Sequence, residues 1–286
     1  MLIKSLIKFN NKKKRIALIS GLGDLPKFII RELTLNKIKP ILFYPNGMNI
    51  TIPESIDKVS FNIYDLEKLI KDLNERYVRY LIFGGKITRN DINESSFLLK
   101  NFKSKINHKI NLKETDDILL RNVGFFFEKQ GFKILSLKEI IPNLLLNEGI
   151  ATKKKPSIQD KNDIFRAIDL HKEMSKSDLG QSLVISNGQC IALETLPGTD
   201  AMIEFVKNFK NKIMLNNFSN GIFFKSLKVN QDPRFDFPVI GEKTLINIKN
   251  AKLNGLALME NKLILLNKEK LIKLADELDL FIFVVK

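Results

Sequence analysis

The run Asp232-Pro233-Arg234-Phe235-Asp236-Phe237-Pro238 puts two carboxylates and a guanidinium within five positions of one another. Such a set can hold a hard divalent cation through one or two carboxylates while the arginine takes a phosphate oxygen in bidentate fashion. Each proline biases the residue before it toward extended geometry, and an extended chain alternates its faces. Asp232, Arg234 and Asp236 are then expected along one side, with Pro233, Phe235 and Phe237 as an apolar anchor on the other. The same seven residues also suit a surface turn with capping aspartates and a local ion pair.

A second set of polar residues precedes it. Ser182 to Ser186 and Gln189 to Glu194 are short apolar runs joined by Asn187-Gly188, the two-residue signal for a type I′ hairpin. Glu194 ends the second strand, and Pro197-Gly198-Thr199-Asp200 turns the chain into a helix that Thr199 or Asp200 can cap, aiming backbone N–H groups at any anion placed before it. Cys190 reads as a small buried strand residue, since no histidine stands near it to make it a nucleophile.

Nearer the N-terminus, Arg15 to Ser20 reads as a buried strand, Gly21-Leu22-Gly23-Asp24 as a tight turn, and Pro26 as a helix start. A second strand, Ile41 to Tyr44, follows that helix. This order suits a nucleotide-binding α/β unit, although Gly21 and Gly23 serve a plain turn equally well. The third glycine of a dinucleotide fingerprint is replaced by Pro26, so neither NAD nor FAD is inferred. Helical spacing of Leu66, Leu69, Ile70 and Leu73 leads to a strand from Tyr77 to Phe83, then to Gly84-Gly85-Lys86, expected on the same sheet edge as Gly21 and Gly23. Lys86 and Arg89 are candidate phosphate contacts. Thr115 to Lys129 has helical periodicity with Thr115 or Asp116 as cap. Asp116, Asp117 and Arg121 are candidates to reach the ligand, and Phe125-Phe126-Phe127 reads as core.

The 286 residues suit one large or two ordinary domains, and 44% hydrophobic with 28% charged is the composition of a soluble globular protein. One cysteine excludes an intrachain disulfide, and with only His108 and His171 no zinc site is read. The net charge of +15 is spread along the chain without interleaved aromatics, so nucleic acid is not expected as a partner; weak attraction to an anionic bilayer is. Residues 1–14 read as a basic leader, residues 15–148 as a Rossmann-like nucleotide-binding α/β domain, residues 149–157 as a linker, and residues 158–286 as a second α/β domain. Within the last of these, Ile158 to Met174 reads as an amphipathic helix, and Glu242 to Val285 as alternating helices and strands.

Three segments carry a resemblance when taken together: Gly180 to Ile185, Glu194-Thr195-Leu196-Pro197-Gly198-Thr199-Asp200-Ala201-Met202, and Gln231 to Gly241. In this order and spacing they resemble the C-terminal domain of the LpxI-type UDP-2,3-diacylglucosamine pyrophosphatases. Ile19 to Pro26 is similar to the family's Gly-rich N-terminal turn and Asp116 to Arg121 to its central segment, so the resemblance covers the chain from about Arg15.

The resemblance implies magnesium-dependent hydrolysis of UDP-2,3-diacylglucosamine to UMP and 2,3-diacylglucosamine 1-phosphate in lipid A biosynthesis, with water attacking the α-phosphorus. It also implies two α/β domains with a ligand cleft between them, residues 158–286 being the catalytic domain, in a cytoplasmic protein, peripheral at the inner membrane, and a homodimer. On this reading Asp232 and Asp236 bind magnesium or orient water, with Glu194 as a further metal ligand, and Arg234 and Lys225 clamp phosphate oxygens. Gln181, Ser182, Thr199 and Asp200 complete the substrate contacts, and Gly21, Gly23, Asp24, Gly84 and Lys86 approach the nucleotide. A non-hydrolytic nucleotide-sugar binding protein is the alternative.

Overall fold

Arg15–Ser20, with five consecutive buried residues after the first, has the continuous apolar pattern of a strand covered on both faces. It is β1 of a computed structural model that describes residues 15–63, 65–85, 116–212, 220–235 and 237–286. The leader 1–14, Lys86, Arg89, His108, Thr115 and Asp236 therefore lie outside the described residues, as do the side chains of Asp116 and Asp117. The chain divides into two units: Met1–Pro142 with Asp232–Asp236, and Asn143–Gln231 with Phe237–Lys286.

In the first unit, β1 is followed by α1 (Leu25–Leu35), β2 (Ile41–Pro45), β3 (Lys58–Phe61), α2 (Leu66–Glu75), β4 (Val78–Gly84), α3 (Asp116–Lys129), β5 (Lys133–Ile134) and α4 (Leu137–Ile140). The five strands are parallel in the order β3-β2-β1-β4-β5. Neighbouring strands β1 and β4 lead out in opposite directions along the sheet, the topological switch at which open α/β sheets gather ligands on their carboxyl edge. Ala17, Ile19, Phe43, Leu73, Leu81, Phe126 and Phe127 make the core beneath it.

The second unit contains β6 (Gly149–Ile150), α5 (Ile158–Lys176), β7 (Ser182–Ser186), β8 (Gln189–Leu193), α6 (Thr199–Lys212), β9 (Ile222–Lys225), β10 (Val239–Ile240), α7 (Glu242–Asn250), β11 (Gly255–Met259), β12 (Ile264–Leu265), α8 (Lys268–Glu277) and β13 (Phe281–Val285). Six strands form one sheet in the order β6-β13-β11-β9-β7-β8. Successive residues along β7 and β9 serve opposite faces. Val184 and Phe223 join Met202, Ile203, Leu245 and Leu271 of α6, α7 and α8. Leu183, Ile185, Ile222 and Phe224 join Ile164 and Met174 of α5. Residues 149–157, expected as a linker, run along this unit: Ala151 N donates to Ile282 O, and Ile282 N donates to Thr152 Oγ1. Ser157 then caps α5 in a capping box with Asp160.

Asn187 and Gly188 both have positive φ, 51° and 76°, as a type I′ turn requires. The buried Asp163 carboxylate pins that turn by accepting from both backbone N–H groups, at 3.0 and 2.7 Å. Cys190 is exposed, contrary to the expectation of a buried thiol, because β8 is an edge strand with only β7 beside it. Phe125 is a second departure. Phe126 and Phe127 are core, but Phe125 faces outward with the Lys129 ammonium 4.5 Å from its ring centre, since three consecutive helical residues cannot share one face.

His171 is a core residue of α5. Burial lowers its pKa to about 4, opposed by a hydrogen bond to Ser226 O at 3.2 Å. A histidine harder to protonate when folded makes the unfolded chain the better proton acceptor below about pH 6.5. Its contribution to stability is therefore complete above about pH 6.5 and is lost progressively as pH falls toward 4. The full loss is about 3 kcal/mol. Unfolding free energies measured at pH 7 and pH 4.5 are expected to converge in His171→Gln relative to wild type; equal pH slopes in the two proteins would refute this.

Candidate functional site

The sequence places Gln181 and Ser182 at the start of β7, Glu194 just past β8, Thr199 at the head of α6 and Lys225 at the end of β9, and the sheet brings all five together. The Glu194 carboxylate accepts from Ser182 Oγ at 2.6 Å, from Gln181 N at 3.2 Å and from Thr199 Oγ1 at 2.7 Å. Lys225 Nζ in turn donates to Thr199 Oγ1 at 2.8 Å. Ser182 and Lys225 are both buried. Thr199 is the first residue of α6 and not its cap: the first helical bond runs from Met202 N to Gly198 O, and the threonine hydroxyl is taken by Glu194. Asp200 points its carboxylate at Lys243 and Asn247 of α7, 2.7 and 3.2 Å away.

In the first unit the Asp232–Phe235 segment is a turn, the second of the two readings of that run, and not the extended row. Phe235 N donates to Asp232 O, and Arg234 N donates to Asp232 Oδ1 at 3.0 Å. The reason is local: proline at the second position and aspartate at the first are the residues that favour a turn, and the aspartate side chain closes it by mimicking backbone. The carboxylate and guanidinium still meet, now through the turn. Arg234 Nε reaches both Asp232 oxygens at 3.0 Å, Nη2 reaches Oδ2 at 2.7 Å, and Nη1 reaches Glu128 Oε1 at 2.5 Å.

Partial burial pushes the Asp232 carboxyl up. The hydrogen bonds and charge of Arg234, with the charge of Arg121, outweigh it and hold the acid below the ordinary aspartate value. Asp232 is therefore ionised, and its hydrogen bonds raise Arg234 above its already high value. Phe235 anchors the turn against Phe83, with ring centres 5.2 Å apart, and over Gly124 of α3, where a Cβ would overlap the Phe235 ring.

Gly21, Gly84 and Gly85 stand on one sheet edge as expected: Gly21 N donates to Gly84 O at 2.8 Å, and Ser20 pairs with Gly84. Gly85, at φ 97°, approaches so closely that a Cβ there would lie 2.7 Å from the Gly21 carbonyl carbon. Gly23 has φ 98°. Asp24 precedes α1 without a capping hydrogen bond. A hollow of about 280 Å³ lies on the same carboxyl edge, where Asn46 follows β2 and Asn62 follows β3, with Ser60, Asp65 and Lys68 also lining it.

Several partners were not anticipated from sequence. Gly124 and Glu128 share one face of α3 with Arg121, itself already a candidate, by their spacing of three and four, and a glycine inside a helical pattern is itself a sign of close approach. Gln231 is buried and accepts from Gln181 Nε2 at 2.8 Å, and Lys228 pairs with Asp178.

Among the described residues no set of three or more His, Cys, Asp or Glu could hold a metal ion. Magnesium commonly needs only one or two protein carboxylates beside water and substrate phosphates, and each carboxylate oxygen can accept more than one partner. The ionised Asp232 fits that requirement. Glu194, expected as a further ligand, belongs to the other unit and already receives three donors.

Residues 15–144 match the family model of the LpxI N-terminal domain and residues 147–283 that of the LpxI C-terminal domain. The UDP-2,3-diacylglucosamine pyrophosphatase LpxI of Caulobacter vibrioides is 30% identical over 221 residues, covering 77% of this chain and 79% of that protein.

Proposed function

The chain belongs to the LpxI family, and on that premise we propose that it hydrolyses the pyrophosphate of UDP-2,3-diacylglucosamine, yielding UMP and 2,3-diacylglucosamine 1-phosphate for lipid A biosynthesis. The observation that carries the catalytic reading is the Asp232–Arg234 turn, an ionised carboxylate and a guanidinium held side by side in a turn that packs against α3. A diphosphate ester repels its nucleophile, so the residues around it must supply positive charge and hold water in line.

Arg234 presents a planar fork to phosphate oxygens, and Lys225 presents an ammonium. Asp232 and Asp236 hold a divalent cation or orient the attacking water. A magnesium ion bound there would supply charge neutralisation and lower the pKa of water. Gly21 and Gly23 let backbone approach the nucleotide, with Asp24 and Gly84 on the same edge, and Lys86 is a further proposed contact. Gln181 and Ser182 contribute neutral hydrogen-bond contacts, and Thr199 and Asp200 complete the substrate contacts.

The net charge of +15 supports a peripheral position on the anionic inner leaflet, where a diacylated substrate resides. Among the described residues no helix is long and apolar enough to cross a membrane. The homodimer belongs to the same proposal and is read by the mass of the protein in solution.

Turnover in heavy-oxygen water with magnesium tests the reaction. Label in UMP is expected, from attack at the α-phosphorus. Label in the lipid phosphate would reverse the point of attack. Substrate binding without UMP release would replace hydrolysis by nucleotide-sugar binding.

A further inference from the structure

The strand that ends at Lys225 does not release the chain at once. Ser226 N donates to Gln181 O at 3.0 Å, Leu227 N donates to Lys262 O at 3.2 Å, and the Lys228 ammonium pairs with Asp178. A turn follows in which Gln231 N donates to Lys228 O at 3.1 Å. Residues 226–231 are thus stitched to the second unit almost residue by residue, and the next residue, Asp232, belongs to the first unit. The return is also anchored: Phe237 is buried, and Pro238 O accepts from Ile264 N at 3.0 Å. The segment that carries the proposed catalytic acid therefore leaves the second unit from one fixed point and rejoins it at another.

Gln231 is the last fixed point before the acid, and it is only 7% exposed. Its Oε1 accepts from Gln181 Nε2 at 2.8 Å and from Lys228 N at 3.4 Å. A backbone N–H only donates, so the atom that it faces is the Gln231 carbonyl oxygen, and Gln181 must present its amino group. The orientation of both amides is thereby fixed. Gln181 is itself held at both backbone polar atoms, since its N donates to Glu194 Oε2 at 3.2 Å and its O accepts from Ser226 N. Consecutive Cα atoms lie about 3.8 Å apart, so whatever holds Gln231 also sets where Asp232 begins. An apolar pair of the same shape would serve stability about as well; what two amides add is direction.

We propose that Gln231 is a positioning residue for the hydrolysis, and that the Gln181–Gln231 amide pair fixes the entry of the turn in which Asp232 presents its carboxylate. The Gln181 side chain acts through Gln231. The inference rests on the hydrolase reading for the duty of Asp232, and deepens it by naming what holds that acid in place from the chain behind it.

Kinetics and unfolding of the full chain test it in Gln181→Met, Gln231→Met and the double variant. Each single change is expected to lower kcat about tenfold or more, with KM within about twofold of wild type. Each also strands a polar partner and lowers stability, whereas the double variant replaces both amides by apolar groups of similar shape and is expected to regain most of that loss. The rate is not expected to return with it: kcat in the double variant stays as low as in the single ones. A purely structural pair would let kcat recover together with stability, and that result overturns the proposal. So does a raised KM with unchanged kcat confined to Gln181→Met, which makes that side chain a substrate contact. Should a single variant fail to fold, the double variant against wild type still decides. Amide hydrogen exchange at Arg234 and Phe235, whose N–H groups close the turn on Asp232, reads positioning without turnover. About tenfold faster exchange is expected in the double variant, the scale of one hydrogen bond; exchange as slow as in wild type overturns the hold on the turn. Faster exchange in the variant of a protein that never releases UMP keeps the positioning role and sinks the hydrolase reading alone.

Discussion

Replacing Asp232 with Asn is expected to lower turnover of UDP-2,3-diacylglucosamine by about 10³-fold or more while leaving the folded state in place. The amide is nearly the size of the carboxylate, and its oxygen can still accept from Arg234 N, so the turn that begins at Asp232 has no reason to open. What disappears is the negative charge that Arg234 and Arg121 keep ionised, and with it the capacity to hold a cation or orient water. Arg234 keeps its second carboxylate, Glu128, at 2.5 Å, so the guanidinium stays anchored. The Asp232–Arg234 pair is partly open to solvent, and its loss is expected to change stability by about 1 kcal/mol or less. The measurement is kcat together with the melting temperature. An Asp232→Asn, Asp236→Asn double variant that turned over at the wild-type rate would remove both acids from the mechanism.

Much of the scaffold was legible because its signals are local. The Asn187-Gly188 turn, the Pro26 helix start and the apolar runs of β1 and β4 each depend on a few neighbouring residues whose backbone preferences agree. The grouping of Gln181, Ser182, Glu194, Thr199 and Lys225 came from the family resemblance and not from local signals; the structure supplies its reason, since a hairpin and the strand beside it place their ends at one sheet edge. What was misread depends on competition between preferences. In Asp232 to Phe235 the extended bias before Pro233 met the turn preference of an Asp-Pro pair, and the aspartate side chain decided the outcome by closing on Arg234 N. Cys190 was misjudged because apolar strand composition does not reveal whether a strand lies at a sheet's edge. Least legible was that Asp232–Asp236, more than a hundred residues past α3, packs with the first unit. Its signal was split between Phe235 and the glycine inside α3, and neither means anything until the two are in contact.

That contact makes Gly124→Ala the second large effect, from a residue with no side chain of its own. A Cβ at Gly124 would occupy the space of the Phe235 ring tip, and α3 cannot give way cheaply because Phe126 and Phe127 on the same helix are buried in the core. The ring must therefore move, and it is one residue from Arg234 and three from Asp232 within a hydrogen-bonded turn. Overpacking of this kind costs about 1–3 kcal/mol. A displacement of about 1 Å at the proposed catalytic turn costs about 10²-fold in rate. Both losses are expected in Gly124→Ala, read by unfolding free energy and by kcat. Shortening the partner should relieve them: Phe235→Leu removes the ring atoms nearest the added methyl, so the double variant is expected to recover part of the stability and of the rate. The double-mutant cycle isolates the pair, with a coupling of about 0.5–3 kcal/mol expected for residues in contact. A Gly124→Ala protein with wild-type rate and stability would show that Phe235 does not fix the turn. Independent, additive losses in the cycle would show that α3 and the Asp232–Phe235 turn act separately.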